Sequence, residues 1–113
     1  MAGPLSGVRI VDVSEVISGP LATMILADQG ADVIKVEKPD GGDDARAWGP
    51  PFGPDGETSL YFHGQNRNKR SITLDLKKPE GVEAALSLIE KADGLLEGFR
   101  PGVMERLGVG PDV

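Results

Sequence analysis

The sequence predicts an α/β protein with a Rossmann-like open parallel sheet built from βαβ units. Three features carry this prediction: short β-branched segments, helical segments with proline near the start and glycine after the end, and the alternation of the two along the chain. At 113 residues the chain is large enough for one small domain but short for a complete α/β enzyme. We therefore expect residues 1–113 to be a single N-terminal segment of a larger domain.

The first half of the chain contains one βαβ unit. Residues 7–14 form a β-branched run that predicts a buried strand. A helix follows, with Pro20 at its first position and Gly30 just past its last. Residues 31–37 predict a second strand. Strand, helix and strand within about thirty residues indicate a right-handed crossover between parallel strands.

Residues 39–65 are expected to form a long loop, because they are rich in proline, glycine and acidic residues up to residue 58. Residues 58–65 are expected to make a helical turn that carries Tyr61 and Phe62. Loops of this length without their own periodicity usually cover a site or a partner.

The second half predicts two more strands and two helices. Residues 71–76 alternate as a strand with Ile72, Leu74 and Leu76 on one face. Pro79 opens a helix whose apolar stripe packs on the sheet. The stripe consists of Val82, Ala85, Leu86 and Ile89. Residues 94–99 predict a fourth strand, and residues 101–107 a short helix that Gly108 ends.

Composition excludes several classes of function. The chain has no cysteine and one histidine, so disulfides, thiolate chemistry and a zinc site are not expected. Its net charge of −6 and its five aromatic residues argue against a nucleic-acid partner. It has no apolar stretch of membrane-spanning length, and its first residues show no charged region followed by an apolar run. We expect a cytoplasmic protein with no metal and no membrane partner.

A basic segment, residues 66–78, stands out on this acidic chain. It contains five basic residues and one acid, Asp75, and so carries a net charge of +4. A local cluster of cations attracts small anionic molecules. The segment therefore predicts part of a site for a phosphate-bearing ligand.

The predicted topology also indicates where a ligand would bind. In open parallel sheets, ligands bind beyond the carboxyl ends of the strands. Four stretches follow the predicted strands: residues 15–18, Lys38, Lys77 and residues 99–100. The amides that open the helix at Pro20 suit either an anionic oxygen or a structural cap. A dinucleotide site, with Glu37 on a ribose, is disfavoured because the first βα turn lacks the G-x-G-x-x-G pattern.

Several polar and aromatic residues leave two interpretations open. His63 is either a general base or, as we favour, an ordinary turn residue. Asp12 is either catalytic or, as we favour, paired with Arg9 or a loop amide. Trp48 is a lid over the acyl substrate or an anchor of the loop against a partner subunit. The cations Arg67, Lys69 and Arg70 contact phosphate or pair with the loop acids Asp40, Asp43 and Asp44.

Four segments in order resemble the class III CoA-transferases, a family that includes the 2-methylacyl-CoA racemases. They are residues 4–12, residues 18–20 with 26–37, residues 66–77 and residues 97–108. The resemblance covers nearly the whole chain. It implies an enzyme that moves CoA from an acyl-CoA donor to a carboxylic acid acceptor through covalent carboxylate intermediates. It also implies interlaced homodimers and no tightly bound cofactor.

The resemblance further implies which residues contact CoA. Lys38 flanks the nucleotide, Leu74 and Lys77 contact the adenosine and its phosphates, and Arg106 pairs with CoA phosphates. Gly98, Phe99 and Arg100 line the CoA channel. Val16, Ile17 and Ser18 lie beside the reacting thioester, where the apolar Ile17 leaves any oxyanion contact to backbone amides.

The catalytic groups of the family match no position here. The nucleophilic aspartate of the transferases, and the His/Asp pair of the racemases, are expected past residue 113. We therefore expect these residues to be a CoA-binding part that is inactive alone. The long segment from Asp40 to Gln65 favours a transferase over a racemase. A non-catalytic nucleotide-binding module is the third alternative.

Overall fold

The protein is a four-stranded, all-parallel α/β structure, seen in a computed structural model that describes residues 2–113. The strand order is β3-β2-β1-β4. The strands are β1 (Arg9–Asp12), β2 (Asp32–Glu37), β3 (Lys69–Thr73) and β4 (Gly94–Leu96). The predicted fold class is confirmed.

Four α-helices and one 3₁₀-helix connect and flank the strands. The α-helices are α1 (Ser18–Asp28), α2 (Leu60–Asn66), α3 (Pro79–Glu90) and α4 (Val103–Leu107). The 3₁₀-helix, Asp44–Ala47, interrupts the predicted long loop. Within residues 2–113, no helix is long and apolar enough to cross a membrane.

Two apolar clusters show that helices cover both faces of the sheet. Val11, Val36 and Ala85 belong to the larger cluster, with α3 and α4 packed against it. Ala27 and Val33 belong to the smaller one, beside the end of α1. Val33 and Val36 differ in parity along β2, so they point to opposite faces. Right-handed crossovers produce this arrangement, because β2 and β4 are added on opposite sides of β1.

Several predicted boundaries are wrong, and the first strand is shorter than the predicted residues 7–14. The third strand begins at Lys69 and ends at Thr73, so Leu74 and Leu76 follow it. The fourth strand ends at Leu96, and the last helix begins at Val103. The start of the third strand was missed because Lys69 and Arg70 are charged and do not show a strand pattern. In the folded chain, Asp12 and Asp32 pair with these cations and neutralise their charge.

Helix α1 begins at Ser18, two residues before the predicted first position, Pro20. Proline is tolerated there because the first backbone N–H groups of a helix have no intrahelical acceptor. The last predicted helix ends as expected at Gly108, whose φ of 81° lies in the left-handed region that glycine adopts readily.

Candidate functional site

A cleft lies at the carboxyl ends of β1, β2 and β3 and is closed on one side by α4. Its volume is about 540 Å³. We call it the strand-end cleft. It is lined by Val13, Glu15, Val36, Glu37, Lys38, Pro39, Asp40, Leu74, Asp75, Leu76, Lys77, Phe99, Val103 and Leu107. Four of the predicted ligand-binding residues, Lys38, Leu74, Lys77 and Phe99, are therefore brought together.

The walls of the strand-end cleft combine an apolar surface with charged side chains. Valine, leucine and phenylalanine make up seven of the fourteen lining residues, and Lys38 and Lys77 are the two cations. Sites for small molecules commonly have this composition, in which apolar walls provide area and a few polar groups fix orientation. The lining also contains four carboxylates, from Glu15, Glu37, Asp40 and Asp75, so a negatively charged group would find favourable charge only beside the two lysines.

Lys38 is already paired in this structure. Its Nζ lies 2.7 Å from Asp44 Oδ1 and 3.6 Å from Glu15 Oε1. The hydrogen bond to Asp44 raises the pKa of Lys38 above its ordinary value. The side chain is 48% exposed, so each pair is worth about 1 kcal/mol or less. A ligand phosphate could replace these partners at small cost.

A second groove continues from the strand-end cleft along α3 and α4. It shares Leu76, Lys77 and Leu107 with the cleft, and Arg106 lies on its wall. Lys77 therefore stands at the junction of the two depressions. Arg106 does not line the cleft itself, although the family resemblance implies that it contacts CoA phosphates as Lys77 does.

The loop after β1 lies at the point where the order of the strands reverses. Strand β1 has β2 on one side and β4 on the other, and ligands of open α/β sheets bind beside such a switch point. Residues 13–17 and 97–102 leave the sheet here. A Cβ at Gly98 would lie 3.8 Å from Ser14 Cβ, so the two loops are in contact.

Predicted residues Val16, Ile17 and Ser18 form the connection from this loop into α1. They do not line the strand-end cleft, but the preceding residue, Glu15, does. The backbone N–H of Ser18 has no intrahelical acceptor because it lies in the first turn. Arg100, the last of the predicted contacts, lies in a separate recess with Glu97 and Met104.

Val16 has an uncommon backbone conformation. Its φ is 72°, in the left-handed region that β-branched residues rarely adopt. Such a conformation costs roughly 1–3 kcal/mol and persists only where surrounding contacts impose it. The backbone N–H of Val16 points at the buried carboxylate of Asp43, 3.2 Å from each oxygen. This amide is therefore not free to contact a ligand.

Two buried ion pairs, which the sequence analysis did not predict, lie beneath the site. Lys35 Nζ is 2.9 Å from Asp43 Oδ2, and Lys69 Nζ is 3.2 Å from Asp12 Oδ2. A lysine inside the apolar run of β2 was the available signal for the first pair. Its partner is eight residues away in a loop, so only the folded chain identifies it.

Asp12 is held by hydrogen bonds as well as by Lys69. Thr23 Oγ1 donates to it at 2.6 Å, and the backbone N–H of Ser14 donates at 2.8 Å. Burial alone would raise the pKa of Asp12, but these groups, the Ser14 hydroxyl and Lys69 hold it below its ordinary value. Burial lowers the pKa of Lys69 to about 8, against the opposing effect of Asp12. The contact with a loop amide fits the structural interpretation of Asp12, although Arg9 pairs with Asp32 instead.

Glu37 is fully engaged by the protein. Arg46 binds both of its carboxylate oxygens at 2.7 Å, and the Asp43 backbone N–H donates to it at 2.8 Å. The Ser71 hydroxyl also donates to it. Burial alone would raise the pKa of Glu37, but these hydrogen bonds more than offset that effect and lower it to about 2. This carboxylate anchors the long loop to β2, which agrees with the absence of a dinucleotide motif.

The basic segment is mostly neutralised by acids of α1, β1 and β2. Arg67 pairs with Asp28 at 2.6 Å, and Arg70 pairs with Asp32 at 2.8 Å. Pairing of these cations with Asp40, Asp43 or Asp44, one of the two sequence-based alternatives, is wrong, because β3 lies beside β2 and places them near other acids. Lys77 and Lys78, after the strand, remain in the grooves.

His63 and Trp48 lie on the long loop and the helix that follows it. His63 is exposed on α2 rather than on a turn, next to Gly53. The Trp48 ring is half exposed and lies 5.6 Å from the Tyr61 ring, centre to centre. Neither residue lines the strand-end cleft.

Comparison with known proteins identifies a family. The model of the family described as CoA-transferase family III matches residues 5–113. The chain is 50% identical over 110 residues to a succinate–glutarate CoA-transferase of Agrobacterium fabrum, covering 94% of this chain and 28% of that protein. It is 48% identical over 107 residues to the human succinyl-CoA:glutarate CoA-transferase, covering 95% of this chain and 24% of that protein.

Solved structures agree with the sequence comparison. A CAIB/BAIF family protein from Brucella suis superposes with a TM-score of 0.93 at 42% identity, over 99% of this chain and 30% of that one. A hypothetical protein from Mycobacterium tuberculosis superposes with a TM-score of 0.87 at 46% identity, over 98% and 30%. The chain thus spans 24–30% of the length of these relatives.

Proposed function

Because the chain belongs to CoA-transferase family III, we propose that it is the CoA-binding, N-terminal part of an acyl-CoA transferase. The complete enzyme would move CoA from an acyl-CoA donor to a carboxylic acid acceptor. Relatives near 50% identity are named as succinate–glutarate, succinyl-CoA:glutarate and succinyl-CoA:mesaconate CoA-transferases, which favours this reaction over racemisation. Their names also favour dicarboxylic acids as substrates.

The observation that carries the proposal is the position and lining of the strand-end cleft. It combines apolar walls with Lys38 and Lys77 at the carboxyl edge of a parallel sheet. The adenosine of CoA would lie against Leu74 and Phe99. Its phosphates would reach Lys77, where the cleft meets the groove that holds Arg106. Ammonium and guanidinium groups bind phosphate through strong, charge-assisted hydrogen bonds.

The acyl end of CoA would extend toward the switch point. Residues 16–18 and Gly98 lie there, next to the cleft through Glu15. Since the Val16 amide is bound by Asp43, the amides of Ile17 and Ser18 are the candidates for stabilising negative charge on a thioester oxygen. Arg100 would contact CoA outside the cleft, near α4.

The covalent step would require a carboxylate that this chain does not supply. The family resemblance puts the nucleophilic aspartate beyond residue 113, and we expect no transfer by these residues alone. By the same resemblance, the complete enzyme would be an interlaced homodimer without a tightly bound cofactor, and we propose a cytoplasmic location for it. A complete gene product that binds CoA without transferring it would instead support a nucleotide-binding module.

Calorimetric titration of the complete protein with CoA tests the site. Replacing Lys77 with alanine removes a charge-assisted contact, and we expect CoA to bind about tenfold more weakly. Lys38→Ala should have a smaller effect, because Lys38 gives up Asp44 and Glu15 when it binds phosphate. Lys91→Ala, an equal loss of charge at the exposed end of α3, is the matched control. If all three variants bind CoA as the unmodified protein does, the proposed site is wrong.

A further inference from the structure

We propose that Asp43 is a positioning residue for the reacting end of this site, and that it acts by holding Val16 in its left-handed backbone conformation. The consequence for catalysis rests on the proposed function. The contact between Asp43 and Val16 does not depend on the proposed function, so the contact and its effect on catalysis can be tested separately.

The Asp43 carboxylate makes contacts from three sides. Both oxygens lie 3.2 Å from the backbone nitrogen of Val16, and Oδ1 accepts a hydrogen bond from the Ala45 N–H at 3.0 Å. Oδ2 is 2.9 Å from Lys35 Nζ. Asp43 and Lys35 are each 1% exposed, so water does not compete for these contacts.

Lys35 makes a second contact with the loop that contains Val16. Its Nζ also donates to the Ser14 carbonyl at 2.9 Å. Lys35 and Asp43 together therefore fix residues 14 and 16, on either side of Glu15. Lys35 lies within β2, and groups held by a rigid strand position a site more accurately than groups on a loop.

Stability alone is a weak explanation for this buried pair. Removing two charges from water is costly, and apolar replacements of buried ion pairs often leave stability unchanged or improved. A β-branched residue released from its contacts would return to negative φ. Rotation about φ of Val16 would redirect the peptide groups that follow it, including the amides of Ile17 and Ser18. The pair is thus placed to set the direction of those amides.

Two double variants of the complete protein separate the role of Asp43 as a hydrogen-bond acceptor from the role of its charge. Lys35→Met/Asp43→Asn keeps a carbonyl oxygen for the Val16 N–H and leaves no unpaired charge. Lys35→Met/Asp43→Leu has a similar volume but no acceptor. Three quantities are measured for each: the transfer rate kcat, the dissociation constant for CoA, and hydrogen–deuterium exchange of the peptide containing residues 14–18.

We expect the two variants to differ in rate and in loop exchange but not in CoA affinity. Misplacement of reacting groups by about 1 Å costs about 100-fold in rate, so kcat of the leucine variant should fall about 100-fold below that of the asparagine variant. Exchange of residues 14–18 should be faster in the leucine variant. Equal kcat and equal exchange in the two variants would overturn the proposal.

Glycine at position 16 provides an independent test. Glycine adopts positive φ without strain, so Val16→Gly removes the tendency of residue 16 to return to negative φ when its contacts are lost. In that background the difference in kcat between the double variants should shrink to about tenfold or less. An undiminished difference would show that Asp43 acts in another way.

Lys35→Met/Asp43→Ala, which also removes the acceptor, replaces the leucine variant if that variant does not fold. Relative to the asparagine variant, it should show faster exchange of residues 14–18 and a lower kcat with CoA affinity retained, whereas an unchanged kcat would overturn the proposal. If the unmodified protein neither binds nor transfers CoA, the proposed function fails. The exchange comparison would still decide whether Asp43 holds Val16.

Discussion

Lys69 and Arg67 belong to the same basic segment but have very different surroundings. Lys69 is 2% exposed and contacts Asp12, Asn66 and the Pro20 carbonyl. Arg67 is 60% exposed and pairs with Asp28 on the outside of α1. The first pair is part of the interior beneath the site, whereas the second is a surface ion pair.

Replacement of these two cations by methionine should therefore have unequal effects. Lys69→Met leaves the Asp12 carboxylate buried without its cation, and we expect the free energy of unfolding to fall by about 3 kcal/mol. Arg67→Met should cost much less than Lys69→Met, because exposed ion pairs contribute little to stability. Urea denaturation of both variants measures the difference. Similar losses would show that the Asp12–Lys69 pair is not a buried structural contact.

Glu37 makes stability depend on pH in the acid range. Its pKa is about 2 in the folded chain, against an ordinary value of 4.5. A lowered carboxyl pKa stabilises the fold above pH 4.5, and this contribution is lost as the pH falls toward 2. The shift corresponds to on the order of 3 kcal/mol.

Glu37→Gln tests this dependence. The free energy of unfolding of the variant should lie below that of the unmodified chain by on the order of 3 kcal/mol at pH 7, and the gap should close near pH 2. The same change at exposed Glu83 controls for the altered net charge. A gap that does not depend on pH would contradict the role assigned to the Glu37 network.

Among the secondary-structure elements, the βαβ unit and the amphipathic helix α3 were predictable because each leaves a local pattern. Strand β3 was predicted two residues late, since Lys69 and Arg70 look like loop residues until Asp12 and Asp32 are placed beside them. The convergence of Lys38 and Lys77 followed from topology alone. The Lys35–Asp43 pair could not be predicted in this way, because local sequence patterns do not show which loop folds back against β2.

The contact between α1 and the ends of β1 and β4 depends on a close approach at Gly19. A Cβ there would collide with the Ser14 side chain and would lie 2.9 Å from Leu96 Cδ2. Gly64, in α2, has no atom within 4 Å of the same position. The two glycines therefore differ in packing although both are helical.

Alanine substitution distinguishes these two helical glycines. Gly19→Ala should lower the free energy of unfolding by about 1–3 kcal/mol, because α1 must shift to admit the methyl group. Gly64→Ala should raise it by about 0.5–1 kcal/mol, since alanine favours helix over glycine. Thermal denaturation measures both changes. Stabilisation by Gly19→Ala would show that α1 does not pack as closely as described.

Taken as a whole, the molecule leaves apolar side chains uncovered on one face of α1. Leu21 and Ile25, one turn apart, are 39% and 49% exposed. Ile72 and Leu95 are also partly exposed on the edge strands β3 and β4. Exposed apolar groups and unpaired strand edges favour association.

We expect the 113-residue chain to self-associate at micromolar concentrations. Leu21→Lys/Ile25→Lys should reduce the average mass in sedimentation velocity experiments. Glu83→Gln/Ser87→Lys changes the net charge by the same two units at exposed positions of α3 and should leave the mass unchanged. A monomeric unmodified chain, or equal effects of the two double variants, would contradict this expectation.

The central claim is that the strand-end cleft holds the phosphorylated adenosine of CoA. A crystal structure of the complete protein with CoA tests it most directly. We predict the adenosine against Leu74 and Phe99, with phosphate oxygens about 3 Å from Lys77 Nζ and Lys38 turned away from Asp44. A nucleotide bound elsewhere, with Lys38 still paired to Asp44 and Glu15, would contradict the account.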